Sequence, residues 1–241
     1  MFFDKKYLYI IIAIMVISGL SSYLTNTSSL IGLLLTIPGV LIAITFHEFA
    51  HALAADKLGD DTPRRQGRLS INPLDHLDPV GSIMLLFAGF GWGKPVEVDS
   101  RNFNRDISMD KANAIVSVAG PLMNFVLAIV FALIYGLLGK FLSVQIASSQ
   151  VLQLIMMMVR FTISINIGLG VFNLIPLPPL DGSKVIKPFL PYNAKTWFEN
   201  HEEIFYIVFI VLWITGIAGN IITPLIEIVY NLIINLVGII I

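Results

Sequence analysis

The chain has 241 residues, of which 56% are hydrophobic and 13% charged, and its mean hydropathy is +0.83; soluble domains carry about 25% charged residues, so a soluble core is excluded. A net charge of -1 without a basic tail gives no case for a nucleic-acid partner. The chain has no cysteine, which excludes disulfides and thiolate metal sites.

In chain order, residues 7–23 read as a first apolar span after Asp4, Lys5 and Lys6. A cleavable signal peptide fits the same pattern and gives the same orientation. Residues 30–57 read as a second span, stopped by Lys57 in the last turn and Gly59 just beyond. Residues 59–110 are mostly polar, with an apolar insert at 82–90 that is too short to cross a bilayer. That insert runs into Gly89-Phe90-Gly91-Trp92-Gly93-Lys94-Pro95 and then the alternating Val96-Glu97-Val98, a pattern that suggests a re-entrant or interfacial hairpin. Ala88 and Pro95 stand where a Walker phosphate loop needs Gly and Ser or Thr, so that reading fails.

Residues 112–139 form a third predicted span and 151–175 a fourth, followed by a proline-rich loop over 176–200. The tail, 204–241, is broken near Gly216, Gly219, Asn220 and Pro224 into two predicted helices, 204–217 and 221–241. An interfacial helix carrying Glu227 and Asn231 is the alternative for part of it. The expected fold is an all-α polytopic membrane protein of about six transmembrane helices, with a hairpin loop between spans two and three. It forms one membrane-embedded domain over 1–241, with a core at 30–182 and peripheral helices at 7–23 and 204–241.

Of the 15 Lys and Arg residues, all but Lys140 and Arg160 fall on one side of these spans. The positive-inside rule makes that side cytoplasmic. Arg160 reads as a residue near the outer interface.

Inside the second span stands His47-Glu48-Phe49-Ala50-His51. Imidazoles four apart share a helix face, so both can bind one Zn²⁺ while Glu48 serves as general base toward a water. At a rise of 1.5 Å per residue, His47 lies about 15 Å from the cytoplasmic end of the helix and His51 about 9 Å. Ionisable groups at that depth mark a functional cavity.

A third protein ligand is needed. Ala54 and Lys57 stand where a metzincin continuation requires Gly and His, and no Glu occurs between Glu48 and Glu97. By spacing, His76 and Asp181 both remain open. Asn124, in the third span beside Gly120 and Pro121, is a polar side chain in apolar surroundings; an interhelical hydrogen bond is the plain reading of it.

At these residues the chain resembles the site-2 proteases, intramembrane zinc metalloproteases. The matching pieces are His47 to His51, the Gly120-Pro121-Leu122-Met123-Asn124 segment, and the stretch from Asn173 through Leu180-Asp181-Gly182. The resemblance implies Asp181 as third ligand beside His47 and His51, one Zn²⁺ per chain, and Asn124 and Asn173 as substrate-binding groups. It implies an endopeptidase acting in or near transmembrane segments of single-span membrane proteins, in the bilayer of a bacterial or archaeal cell membrane, with the active site toward the cytoplasm. The loop at 89–95 would help to receive the substrate. The chain reads as a short form without PDZ or CBS domains. A non-catalytic metal-binding protein or metal transporter is the alternative, disfavoured by the uncharged loop at 24–29 and by ligands gathered toward one side.

Overall fold

A computed structural model describes residues 26–88 and 93–241. The predicted span at 7–23 and the Gly89 to Trp92 tip of the expected hairpin lie outside those residues. Helix α1, Thr27–Lys57, is opened by the Asn26 side chain, which accepts from the Ser28 and Ser29 N–H groups. It closes as predicted: the Leu58 N–H donates to Ala54 and Ala55 carbonyls, and Gly59 then turns at φ 107°.

Between α1 and the next long helix lie α2 (Thr62–Arg65), α3 (Pro79–Ala88) and two 3₁₀ turns. The apolar insert is thus helical as far as Ala88, and an antiparallel bridge between Leu77 and Gly93 joins its two flanks. No strand forms among the described residues, Val96-Glu97-Val98 included. Two loops are pinned by Asp60, which is fully buried. Its carboxylate accepts from Thr62 N (3.1 Å), Thr62 Oγ1 (2.6 Å), Asp99 N (2.8 Å) and Asn102 Nδ2 (3.0 Å). The Asn104 N–H then donates to the Leu58 carbonyl, so the 99–104 loop is fastened to the end of α1.

Helix α4, Met109–Ser148, exceeds its predicted span at both ends and breaks its helical angles at Leu142. Helix α5, Gln150–Asn173, returns beside it. The proline-rich segment holds more helix than expected, in α6 (Asp181–Ile186) and α7 (Tyr192–Asn200).

The tail divides at Gly216, in the left-handed region at φ 74°, into α8 (Glu202–Ile214) and α9 (Ile217–Ile240). Among the described residues four helices, α1, α4, α5 and α9, are long and apolar enough to cross a membrane. The 13 residues of α8 span only about 20 Å, short of the ~30 Å hydrocarbon core. Of the two predicted tail helices, then, the second is long and apolar enough to cross and the first is not.

Helices α1, α4 and α5 pack on one another, and α9 lies against α4 and α5. Ala128, Ala132, Ile163, Ile167, Ile222 and Ile233 form the apolar centre of that contact. On the outer side of α4, Leu122, Val126, Val130 and Ile134 are exposed at four-residue spacing, an apolar stripe suited to lipid.

Candidate metal centre

His47 and His51 both point from α1 toward α4, their ring centroids 4.6 Å apart. Their approach depends on Gly120 in α4. A Cβ at that position would come within 2.7 Å of His47 Cε1 and would overlap the His51 ring, so only a glycine lets the helix backbone lie against both imidazoles. Pro121, next in the helix, has no N–H and leaves the Ser117 carbonyl out of the helical ladder, beside Val116.

The hydrogen bonds fix which nitrogen of each ring is free. His51 Nδ1 lies 2.7 Å from the Val116 carbonyl oxygen. A carbonyl only accepts, so that nitrogen carries the proton. His47 Nδ1 lies 2.7 Å from Asn124 Oδ1. The orientation of the Asn124 amide is set by its other contacts: Nδ2 donates to the Ala43 carbonyl at 3.1 Å and to Asn166 Oδ1 at 3.1 Å. Its oxygen therefore faces His47, and His47 Nδ1 must donate.

Both Nε2 atoms are left with lone pairs, 3.0 Å apart, and each stands 3.2 Å from Asp181 Oδ2. Three acceptors converge with no proton between them. A cation resolves that repulsion, and two imidazoles with one carboxylate is the donor set of a catalytic zinc site. The chosen atoms of His47, His51 and Asp181 all lie within 4.8 Å of one another.

Asp181 arrives from a different part of the chain. The segment after α5 doubles back so closely that a Cβ on Gly182 would overlap the Leu174 and Ile175 carbonyl oxygens. The Leu180-Asp181-Gly182 order is thus sterically specified: the glycine permits the turn, and the aspartate beside it faces the two histidines. Ser183 Oγ, donating to the Leu180 carbonyl at 2.7 Å, ties the turn to its own start.

Glu48, beside the cluster, accepts from the Val96 N–H at Oε2 (3.2 Å). Gly93 packs against the same side chain. A Cβ there would stand 2.8 Å from Ile44 Cγ2 and 3.3 Å from Glu48 Oε1. The polar loop after the apolar insert thus lies directly on the carboxylate. It is held there by Arg68, buried, which donates to the Asp75 carbonyl and to the Pro95 carbonyl (3.4 Å), and by the Lys94 N–H, which donates to the His76 carbonyl at 2.8 Å.

His76, the other ligand that spacing left open, stands outside the converging group. It is fully buried, and its Nε2 lies 2.6 Å from the Ser70 carbonyl. Asn173 turns its amide back along its own helix to the Leu169 carbonyl at 3.0 Å. Asn124 is fully buried, with its oxygen and both amide hydrogens engaged by the protein. In this arrangement it holds a histidine.

Sequence reasoning passed over Asn166, the residue through which α5 joins this network. Asn166 is also fully buried and donates to the Thr162 carbonyl at 2.9 Å. The signal was present, since Asn166 is seven residues before Asn173 on the same apolar helix. The Val96 N–H carries no side-chain signal at all.

The sequence profile of peptidase family M50 matches residues 35–216. Three curated relatives share the description "Putative zinc metalloprotease". YwhC of Bacillus subtilis is 37% identical over 189 residues, covering 78% of this chain and 84% of that protein. Rip2 of Mycolicibacterium smegmatis is 30% identical, covering 76% and 67%. MJ0611 of Methanocaldococcus jannaschii is 26% identical, covering 88% and 97%. No solved structure matches the chain.

Proposed function

The chain belongs to peptidase family M50, the site-2 protease family, and from that premise we propose that it is a zinc endopeptidase cleaving peptide bonds in or near the transmembrane segments of single-span membrane proteins. The observation that carries this reading is the meeting of His47 Nε2, His51 Nε2 and Asp181 Oδ2 within 3.2 Å, one residue from Glu48. These three atoms would hold one Zn²⁺ per chain. Bound there, the metal supplies a Lewis acid for the scissile carbonyl and makes water acidic enough to attack near neutral pH.

The remaining chemistry belongs to the chain. Asn124 and the Val116 carbonyl keep both Nδ1 protons in place, so neither imidazole can rotate its lone pair away. Glu48 accepts a proton from the attacking water on its carboxylate. As the C–N bond breaks it returns that proton to the leaving amine nitrogen. The Val96 N–H holds Oε2 during this exchange, and the bare Gly93 leaves space beside Oε1.

The same reading takes residues 7–23 as a further span and the apolar insert with the loop through Val98 as a re-entrant or interfacial hairpin bordering the site. The excess of Lys and Arg on one side supports an active site toward the cytoplasm of a bacterial or archaeal cell. The core at 30–182 and the peripheral helices form a single membrane-embedded unit. Asn173, near the C-terminal end of α5, is assigned to substrate.

The test is reconstitution of the purified chain with a single-span substrate. One zinc per chain, with cleavage abolished by a chelator and by Glu48→Gln, is the expected result. Zinc transport into vesicles without cleavage would overturn the assignment.

A further inference from the structure

Helix α9 carries a row of polar side chains on the side turned away from the rest of the described residues. At roughly 100° per residue, Asn220, Glu227, Asn231 and Asn235 fall within about 80° of one another. The buried Ile222, Ile233 and Val237 occupy the opposite side, against α4 and α5. All four polar residues are exposed. Among the described residues their side chains have neither hydrogen bond nor ion pair, whereas every polar atom of Asn124 and Asn166 described above is engaged inside the bundle.

This is a helix that qualifies as a membrane span by length and hydropathy. Glu227 and Asn231 lie about 15 and 21 Å along its ~36 Å, in the central part, where lipid offers nothing to bond them. An outward polar row in that position requires cover. Residues 7–25 of this chain contain no Asn, Gln, Asp, Glu, Lys or Arg, so their side chains offer only Tyr, Ser and Thr hydroxyls to such a row.

The row is complementary to itself. An asparagine amide both donates and accepts, so each can bond to the same residue of a second helix, and the Glu227 carboxylate can accept from a neighbouring amide. Two copies inserted in the same orientation and related by a two-fold axis along the bilayer normal bring such rows together at matching depth. We propose that α9 is the contact between two copies of this chain, closed by the Asn220, Glu227, Asn231 and Asn235 row.

The chain lacks cysteine, so single cysteines report this contact without background. Asn231→Cys and Asn235→Cys, in the full chain in native membranes, are expected to form disulfide-linked homodimers on mild oxidation, because paired cysteines need Cα atoms within about 7 Å. Leu225→Cys and Leu236→Cys, exposed on another side of α9, should give at most about a tenth as much. In the purified chain, Glu227→Leu/Asn231→Leu/Asn235→Leu should lower the dimer fraction in sedimentation at least tenfold while leaving thermal unfolding of the monomer in place. A monomeric wild-type chain, equal cross-linking at all four sites, or cross-linking only to a different protein would each overturn the proposal.

Discussion

Polar side chains inside the α1–α4–α5 bundle and those on the outer wall of α9 obey opposite rules. Around the metal centre, Asn124, Asn166, His47 and His51 sit among apolar helices, and their partners are named, short and drawn from three different helices. On α9, four residues of similar chemistry have no partner within the described chain. Interior polar atoms have already lost water, and removing a partner strands the other. Those on α9 owe nothing to the described residues of their own subunit. The difference teaches that polarity within a span has no fixed meaning until its bonds are traced.

Four substitutions sharpen or break this contrast. Glu48→Gln should reduce cleavage by about 10²–10⁴-fold while zinc content stays at one per chain, measured by metal analysis beside a proteolysis assay. The amide can still accept from the Val96 N–H, so the substitution separates proton transfer from packing.

Asn124→Leu should come next, weakening zinc affinity by about 10–100-fold in chelator competition, because His47 loses its Nδ1 acceptor while Ala43 and Asn166 lose a donor. Undiminished zinc affinity in that variant would break the comparison at its interior end.

Asp60→Ala, outside the membrane, strands several donors and should lower stability by about 1–3 kcal/mol in thermal unfolding. Burial pushes this carboxyl up, but bonds from Asn102, Thr62 and Asp99 outweigh it and hold the group below its ordinary value. Its stabilising contribution is therefore complete above the unfolded value near pH 4 and is lost as pH falls through the lower folded value. The wild type should show an acid-side loss of stability that the variant lacks. The smallest effect is expected from Asn231→Leu, which should change monomer unfolding by no more than about 0.5 kcal/mol. A large loss there would show that the outer row has a partner within its own subunit.

Much of the scaffold could be read from residues alone. Lys57 and Gly59 marked the end of α1, Gly216 marked the break in the tail, and the His47 to His51 spacing marked a metal-binding face. Spacing could not choose between His76 and Asp181, because the choice depends on a reversal of the backbone that Gly182 permits and that no periodicity records. Asn124 stood out by polarity, but its partner was invisible, since it lies 77 residues away on another helix. The predicted helix at 204–217 was already short, and counting it among about six spans followed its unbroken apolar run from Ile204 to Ile214 and not its length.

The two histidines also differ in how they are held, through the kinds of atom that accept their protons. Asn124 is encoded by a codon and can be exchanged, so the orientation and basicity of His47 are open to mutation. The acceptor for His51 is a peptide oxygen at Val116, which every amino acid carries. Replacing Val116 changes a side chain and leaves that oxygen behind. One ligand can therefore be retuned by a single heritable change, while the other is shielded from point mutation so long as α4 keeps its course.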